Sequence, residues 1–169
     1  MKKIITSFAI CLFFLMGCAP KEETKIVPNA SLSVPFAVNK KLQINVLSYK
    51  FISLISDSNI SPPPEGQKYI FLKVLWQNTA PNRGIPAFTA QKEIMSIEVS
   101  DPKSDKVIAI DGNSVYTSIE PFEEAKGKEL SAGENTTVWV QGTIPKDLMP
   151  PFLITFKPQQ GRDMILELK

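Results

Sequence analysis

The stretch YIFLKVLWQN, Tyr69 to Asn78, decides the fold. Ile70, Leu72, Val74 and Trp76 recur at every second position, which puts them on one face of an extended strand. Tyr69, Phe71 and Leu75 lie opposite, interrupted by Lys73. A strand apolar on both faces is predicted to be central in its sheet. Pro62-Pro63-Pro64 precedes it, within a loop from Ser56 to Gly66, and a second loop with Pro81, Gly84 and Pro86 follows. Proline lacks the N–H that a ladder needs, so both flanks are stops.

The β pattern extends outward in both directions. Leu42, Ile44 and Val46 alternate with Gln43 and Asn45, and the run continues through Phe51 and Ile52. Met95, Ile97 and Val99 alternate with Ser96 and Glu98; Asp101 to Asp105 is turn chemistry, and Val107 to Ile110 returns as the second arm of a hairpin. Asp111-Gly112-Asn113 is another turn, and Tyr116 to Ile119 is a candidate short strand. Thr136 to Ile144, Leu153 to Phe156 and Met164 to Leu168 complete the set; only Glu120 to Lys128 could be helical. Seven or eight strands with regular turns and almost no helix predict an all-β chain, an antiparallel β-sandwich, with a closed barrel as the structural alternative.

Ahead of this body, Met1-Lys2-Lys3 is followed by the uncharged run Ile4 to Met16, then Gly17 and Cys18. A basic start, a short apolar core and a small residue before a cut form an export signal. The apolar core is too short to span a bilayer comfortably, since a spanning helix needs about 20 residues. Leu15-Met16-Gly17-Cys18 resembles the bacterial lipobox, although Met16 stands where a small residue is usual. The resemblance implies cleavage before Cys18 and lipid on its sulfur. Each buried methylene contributes ~0.8 kcal/mol, so two or three acyl chains hold a protein at a membrane firmly. The expected organisation is therefore a signal peptide over 1–17, a lipidated cysteine and flexible tether over 18–35, and a sandwich over 36–169. The expected place is the cell envelope: the outer membrane facing the periplasm in a Gram-negative cell, since no aspartate follows Cys18, and otherwise the outer face of the cell membrane.

KYIFLKVLWQN (Lys68 to Asn78) and LSAGENTTVWVQGTIP (Leu130 to Pro145), with the turn from Asp101 to Lys106 between them, resemble the telokin-like, immunoglobulin-like domain of bacterial lipoproteins. The resemblance covers residues 40–168. It implies a fold and a surface location, with no catalytic residues.

Composition narrows the function classes. The net charge of +2 comes from Lys2 and Lys3; the remainder carries 17 basic and 17 acidic residues. A neutral, mixed chain has no electrostatic footprint for nucleic acid. Histidine is absent, which removes the usual general base and metal ligand. The two cysteines, Cys11 and Cys18, form no disulfide framework if one is cut away and the other acylated.

Several constellations invite a sharper reading. Ser100-Asp101-Pro102-Lys103 has the S-x-x-K spacing of penicillin-binding enzymes, but a proline-containing hairpin turn cannot supply the helix that chemistry needs. Asp101, Asp105 and Asp111 lack the spacing of a calcium loop and are better explained as turn carboxylates. Glu120, Glu123 and Glu124 form a charge cluster beside Lys126 and Lys128. Trp76 and Trp139 are expected in the core, with a stacking platform for sugar or peptide as the alternative. Met95, Met149 and Met164 are expected to fill gaps in the core.

The long loops are the expected partner-binding places, with Pro62, Pro63, Pro64, Arg83 and Phe88 as candidates. The leading expectation is a non-enzymatic binding domain, needing no cofactor or metal, that meets an envelope protein or a cell-wall polymer. The alternative is an envelope hydrolase using paired carboxylates, which requires two of them facing one cleft.

Overall fold

Strand β3, Gln67–Asn78, lies between two long neighbours, β2 (Leu42–Ile52) and β8 (Asn135–Pro145). With the two-residue strand β1 (Phe36–Ala37) they form a four-stranded antiparallel sheet in the order β1-β2-β3-β8. The expectation of a central strand holds. The computed structural model describes residues 27–53, 62–81, 88–89, 93–102, 104–110 and 129–169. Cys18, Arg83, the candidate strand 116–119 and the candidate helix 120–128 lie outside them.

The second sheet contains β5 (Ile94–Asp101), β6 (Ser104–Ile110), β9 (Phe152–Pro158) and β10 (Met164–Leu168), in the order β10-β9-β5-β6, again antiparallel. Two short strands, β4 (Phe88–Thr89) and β7 (Glu129–Leu130), pair apart from both. The chain is thus an antiparallel β-sandwich with eight strands in its two main sheets. Among the described residues no helix is long and apolar enough to cross a membrane.

The core follows from alternation. Leu42, Ile44, Val46, Ile70, Leu72, Val74 and Trp76 from the first sheet meet Ile97, Val99, Phe152, Ile154, Phe156, Leu166 and Leu168 from the second. Two irregularities depart from simple period two. The β2–β3 register shifts between Val46 and Ser48, so beyond the shift Tyr49 and Phe51 pack on the core side. On β5 the register shifts between Ile94 and Ser96, and Ile94 joins the core with Ile97 and Val99. The face predicted to begin at Met95 therefore begins at Ile94, because a bulge sets two residues against one and resets the alternation.

The segment before β1 is tied to the sandwich. The Asn29 and Ala30 N–H groups both donate to the Ile165 carbonyl at 3.0 Å, and Ala30 bridges Leu166 in parallel. Asn29 Oδ1 accepts from the Ile165 N–H at 2.9 Å. The Ser33 N–H donates to the Val46 carbonyl at 2.8 Å. Residues 29–33, read in sequence as part of a flexible tether, thus carry backbone pairing from the edge of the second sheet to the first. At the other side of the molecule, the edge strand β6 approaches β8.

Candidate functional site

Strand β3 separates the two loops singled out in the sequence. Pro62 to Pro64 lead into its start, where the Gln67 N–H donates to the Pro64 carbonyl. Phe88 belongs to β4, whose partner Leu130 accepts a hydrogen bond from Asn78 at the far end of β3. A strand rises about 3.3 Å per residue, so this strand sets the two places roughly 36 Å apart. Pro62, Pro63 and Pro64 therefore sit at one end of the sandwich and Phe88 at the other. They cannot act as one site.

The proline end has its own chemistry. Lys68 points inward from β3, and its residue is only 5% exposed. Its Nζ donates to the Leu148 carbonyl at 2.5 Å, lies 3.7 Å from the Met149 sulfur, and sits 4.7 Å from the centroid of the Phe51 ring. A buried ammonium is tolerable only with such partners. Leu148 and Met149 belong to the turn after β8, and the Lys146 N–H binds the Gly66 carbonyl, which ties this turn to the proline loop. Met149 is 66% exposed. The expectation that it fills the core is overturned, because its turn projects from the sheet ends, whereas Met164 is buried as expected. Pro62, Pro64 and Pro151 are also exposed, together with the charged Glu65, Lys146 and Asp147.

The outer face of the first sheet carries a second cluster. Tyr69 and Phe71 are buried there, with Ile52 and Trp139 packed against them. The ladder puts Lys50 opposite Phe71, Phe71 opposite Gln141, and Lys73 opposite Trp139. Lys50 Nζ stands 4.9 Å from the Trp139 ring centroid and Lys73 Nζ 5.9 Å. Both are within the range at which a ring quadrupole attracts a cation. Trp76 and Trp139 have thus divided the two readings between them. Trp76 is core, edge-to-face with Phe156 at 6.5 Å; Trp139 is half-buried on the outside. Parity carries the difference, since 76 faces inward on β3 while 139 faces outward on β8. Sequence reading missed Lys50, Lys73 and Gln141. The one available signal was Lys73 interrupting an otherwise apolar run.

Four of the described carboxylates have structural partners. Glu93 pairs with Lys41 and Glu98 with Lys157, each at 2.7 Å. Glu134 Oε2 accepts from the Ser131 N–H at 2.8 Å, and Glu167 lies 3.4 Å from Lys169. Asp101 closes the β5–β6 hairpin opposite Ser104, so Pro102 lies in the turn that the sequence predicted, while Ser100 is a strand residue paired with Val107 and Leu153. Asp111, Glu120, Glu123 and Glu124 lie outside the described residues. Among the described residues no three His, Cys, Asp or Glu side chains gather as a metal-binding group.

No family model matches the chain, and no curated protein matches it in sequence. Its fold is similar to that of solved bacterial proteins. An uncharacterised β-sandwich protein from Clostridium difficile 630 superposes with a TM-score of 0.57 at 15% identity, over 89% of this chain and all of that one. A conserved hypothetical protein from Bacillus anthracis superposes with a TM-score of 0.56 at 15% identity, over 82% of this chain and 94% of that one. At such identity the likeness concerns the fold alone.

Proposed function

We propose that this chain is a bacterial lipoprotein, held to a membrane through lipid on Cys18, whose telokin-like, immunoglobulin-like sandwich is a non-catalytic interaction domain of the cell envelope. The observation that carries the interaction role is the outer face of the first sheet. An antiparallel sheet with one face on the core usually turns polar residues outward. Here that face gathers Tyr69 and Phe71, both buried, and a half-buried Trp139 with Lys50 and Lys73 against its ring. Aromatic side chains are enriched at recognition surfaces, and the two lysines hold the Trp139 ring by cation–π attraction. The engagement of Glu93 and Glu98 in separate ion pairs and of Glu134 in a turn favours this reading over a hydrolase, which needs two carboxylates in one cleft.

The anchor is supported by the order of residues 1–18 and by the pinned segment at Asn29 to Ser33, which fixes where the chain enters the domain. Fractionation of cells producing the wild type and Cys18→Ser tests it. The wild type should partition with membranes and yield an acylated amino-terminal cysteine by mass spectrometry, whereas the variant should not be acylated. An unmodified thiol at Cys18, or a mature chain that still begins at Met1, defeats the anchor. For the interaction role, crosslinking in intact envelopes should give an adduct that Trp139→Ala weakens. An adduct pattern unchanged in Trp139→Ala defeats the role of that face.

A further inference from the structure

Lys68 is a buried cation held by neutral groups. Its Nζ donates to the Leu148 carbonyl at 2.5 Å and toward the Met149 sulfur at 3.7 Å, and it stands 4.7 Å from the Phe51 ring centroid. Among the described residues no carboxylate pairs with it. An ammonium has three donors. Here a carbonyl takes one, and the sulfur that faces the group is only a weak acceptor. On a charged group that is 5% exposed, a poorly matched donor is costly.

Met149 turns the same sulfur toward solvent. The residue is 66% exposed, whereas Met164 is 1% exposed. Its turn is fixed at both sides. The Leu148 N–H donates to the Pro145 carbonyl, and the Lys146 N–H to the Gly66 carbonyl. A thioether that peroxide can reach is thus held against a buried positive charge. Exposed thioethers take one oxygen from such oxidants, and the product is polar and reducible.

We propose that Met149 is an oxidation site whose sulfoxide oxygen docks on the Lys68 ammonium. This inference stands apart from the lipid anchor and from the outer face of the first sheet. The oxidant is hydrogen peroxide. A sulfur lone pair attacks one peroxide oxygen, so that an S–O bond forms and the O–O bond breaks. The departing hydroxide takes the proton of the transferred oxygen and leaves as water. Sulfur is oxidised by two electrons and peroxide is reduced by two. Lys68 keeps its protons and donates a hydrogen bond to the new oxygen.

The existing separation suits that bond. An oxygen about 1.5 Å from sulfur and about 2.9 Å from Nζ closes a triangle on the 3.7 Å side with an angle of about 110° at oxygen. Neither the turn nor β3 has to move. Methionine has three rotatable side-chain bonds, so either sulfoxide epimer can turn its oxygen to Nζ. Hydrogen bonds with a charged partner are roughly twice as strong as neutral ones. Oxidation loosens a protein when it puts a polar group where a thioether was packed. At Met149 the sulfur lies outside the core, and the sign reverses. The sulfoxide fastens the turn between β8 and β9 to β3, and a sulfoxide reductase releases it.

Thermal unfolding of the full chain in detergent, before and after limited hydrogen peroxide, tests the proposal. Peptide mass mapping should find one added oxygen on Met149 at doses that leave Met164 a thioether. The melting temperature of that species should rise by about 2–4 °C and return after reductase treatment. Met149→Leu should show no rise with peroxide. Met149→Gln mimics the sulfoxide permanently, because its Cδ carries an oxygen where the sulfur would. It should melt above Met149→Leu with no oxidant present. Lys68→Met, where it folds, should lose the rise; the glutamine and leucine variants keep Lys68 and need no such proviso. The proposal is overturned by a Met149 that stays unoxidised, by a melting temperature that falls or stays level on its oxidation, or by a rise that persists in Met149→Leu or Lys68→Met. Equal melting of the glutamine and leucine variants also overturns it.

Discussion

Asn78 is where one side chain does most for the architecture. It is fully buried at the end of β3, and its Nδ2 donates to the Leu130 carbonyl while its Oδ1 accepts from the Ala80 N–H, both at 2.9 Å. Replacing it with alanine leaves both backbone groups unpaired in the interior. Each costs about 1–3 kcal/mol, so Asn78→Ala should lower the unfolding free energy by about 2–6 kcal/mol in a urea titration. The glycines give a paired test of backbone strain. Gly133 has φ +81° and open space where a Cβ would stand. Gly161 has φ +115°, and a Cβ there would lie 2.3 Å from the Val38 carbonyl oxygen. Gly133→Ala bears only the left-handed penalty of about 1–2 kcal/mol. Gly161→Ala adds a clash with backbone that accepts the Arg162 N–H, so its melting temperature should fall well below that of Gly133→Ala. At this scale the sequence was a partial guide. It placed Asn78 at the end of the central strand, but not the carbonyl that the asparagine binds 52 residues later.

Among the elements, long strands were legible and their irregularities were not. β3 announces itself because burial on both faces demands an apolar run. β8 does so through Val138, Trp139 and Val140. The shifts near Leu47 and Met95 leave no comparable mark, since a bulge adds one residue without changing composition. The same holds for the pairing of Asn29 with β10. Its residues look like tether, polar and proline-flanked, and only the nearby edge of a strand formed by the last residues gives them partners. That pairing predicts a local effect. Asn29→Ala removes the acceptor for the Ile165 N–H, an exposed bond worth about 0.5–1.5 kcal/mol. Hydrogen exchange at the Ile165 amide should accelerate while the amides of β3 keep their protection. An unchanged Ile165 rate would show that the segment does not hold the edge.

For the whole molecule, the geometry separates what sequence proximity suggests is joined. Pro63 and Phe88 lie on either side of a single strand in the sequence, yet a strand has two ends, and the two residues sit near opposite ends of it. Substitutions more than about 7–10 Å apart with no shared partner usually add within roughly 0.3–0.5 kcal/mol. A double-mutant cycle between Pro63→Ala and Phe88→Ala should therefore show additive stability changes, and a larger coupling energy would contradict the separation. Alternation along the chain was enough to establish an all-β sandwich, a central β3 and the hairpin at Asp101, because the period of side chains along a strand is local and every residue carries it. The chain order alone could not say which tryptophan faces inward, or that Lys50 and Lys73 meet at the Trp139 ring. Those follow from strand order and register, which depend on how segments distant in sequence pair, and a one-residue shift in pairing exchanges the two faces.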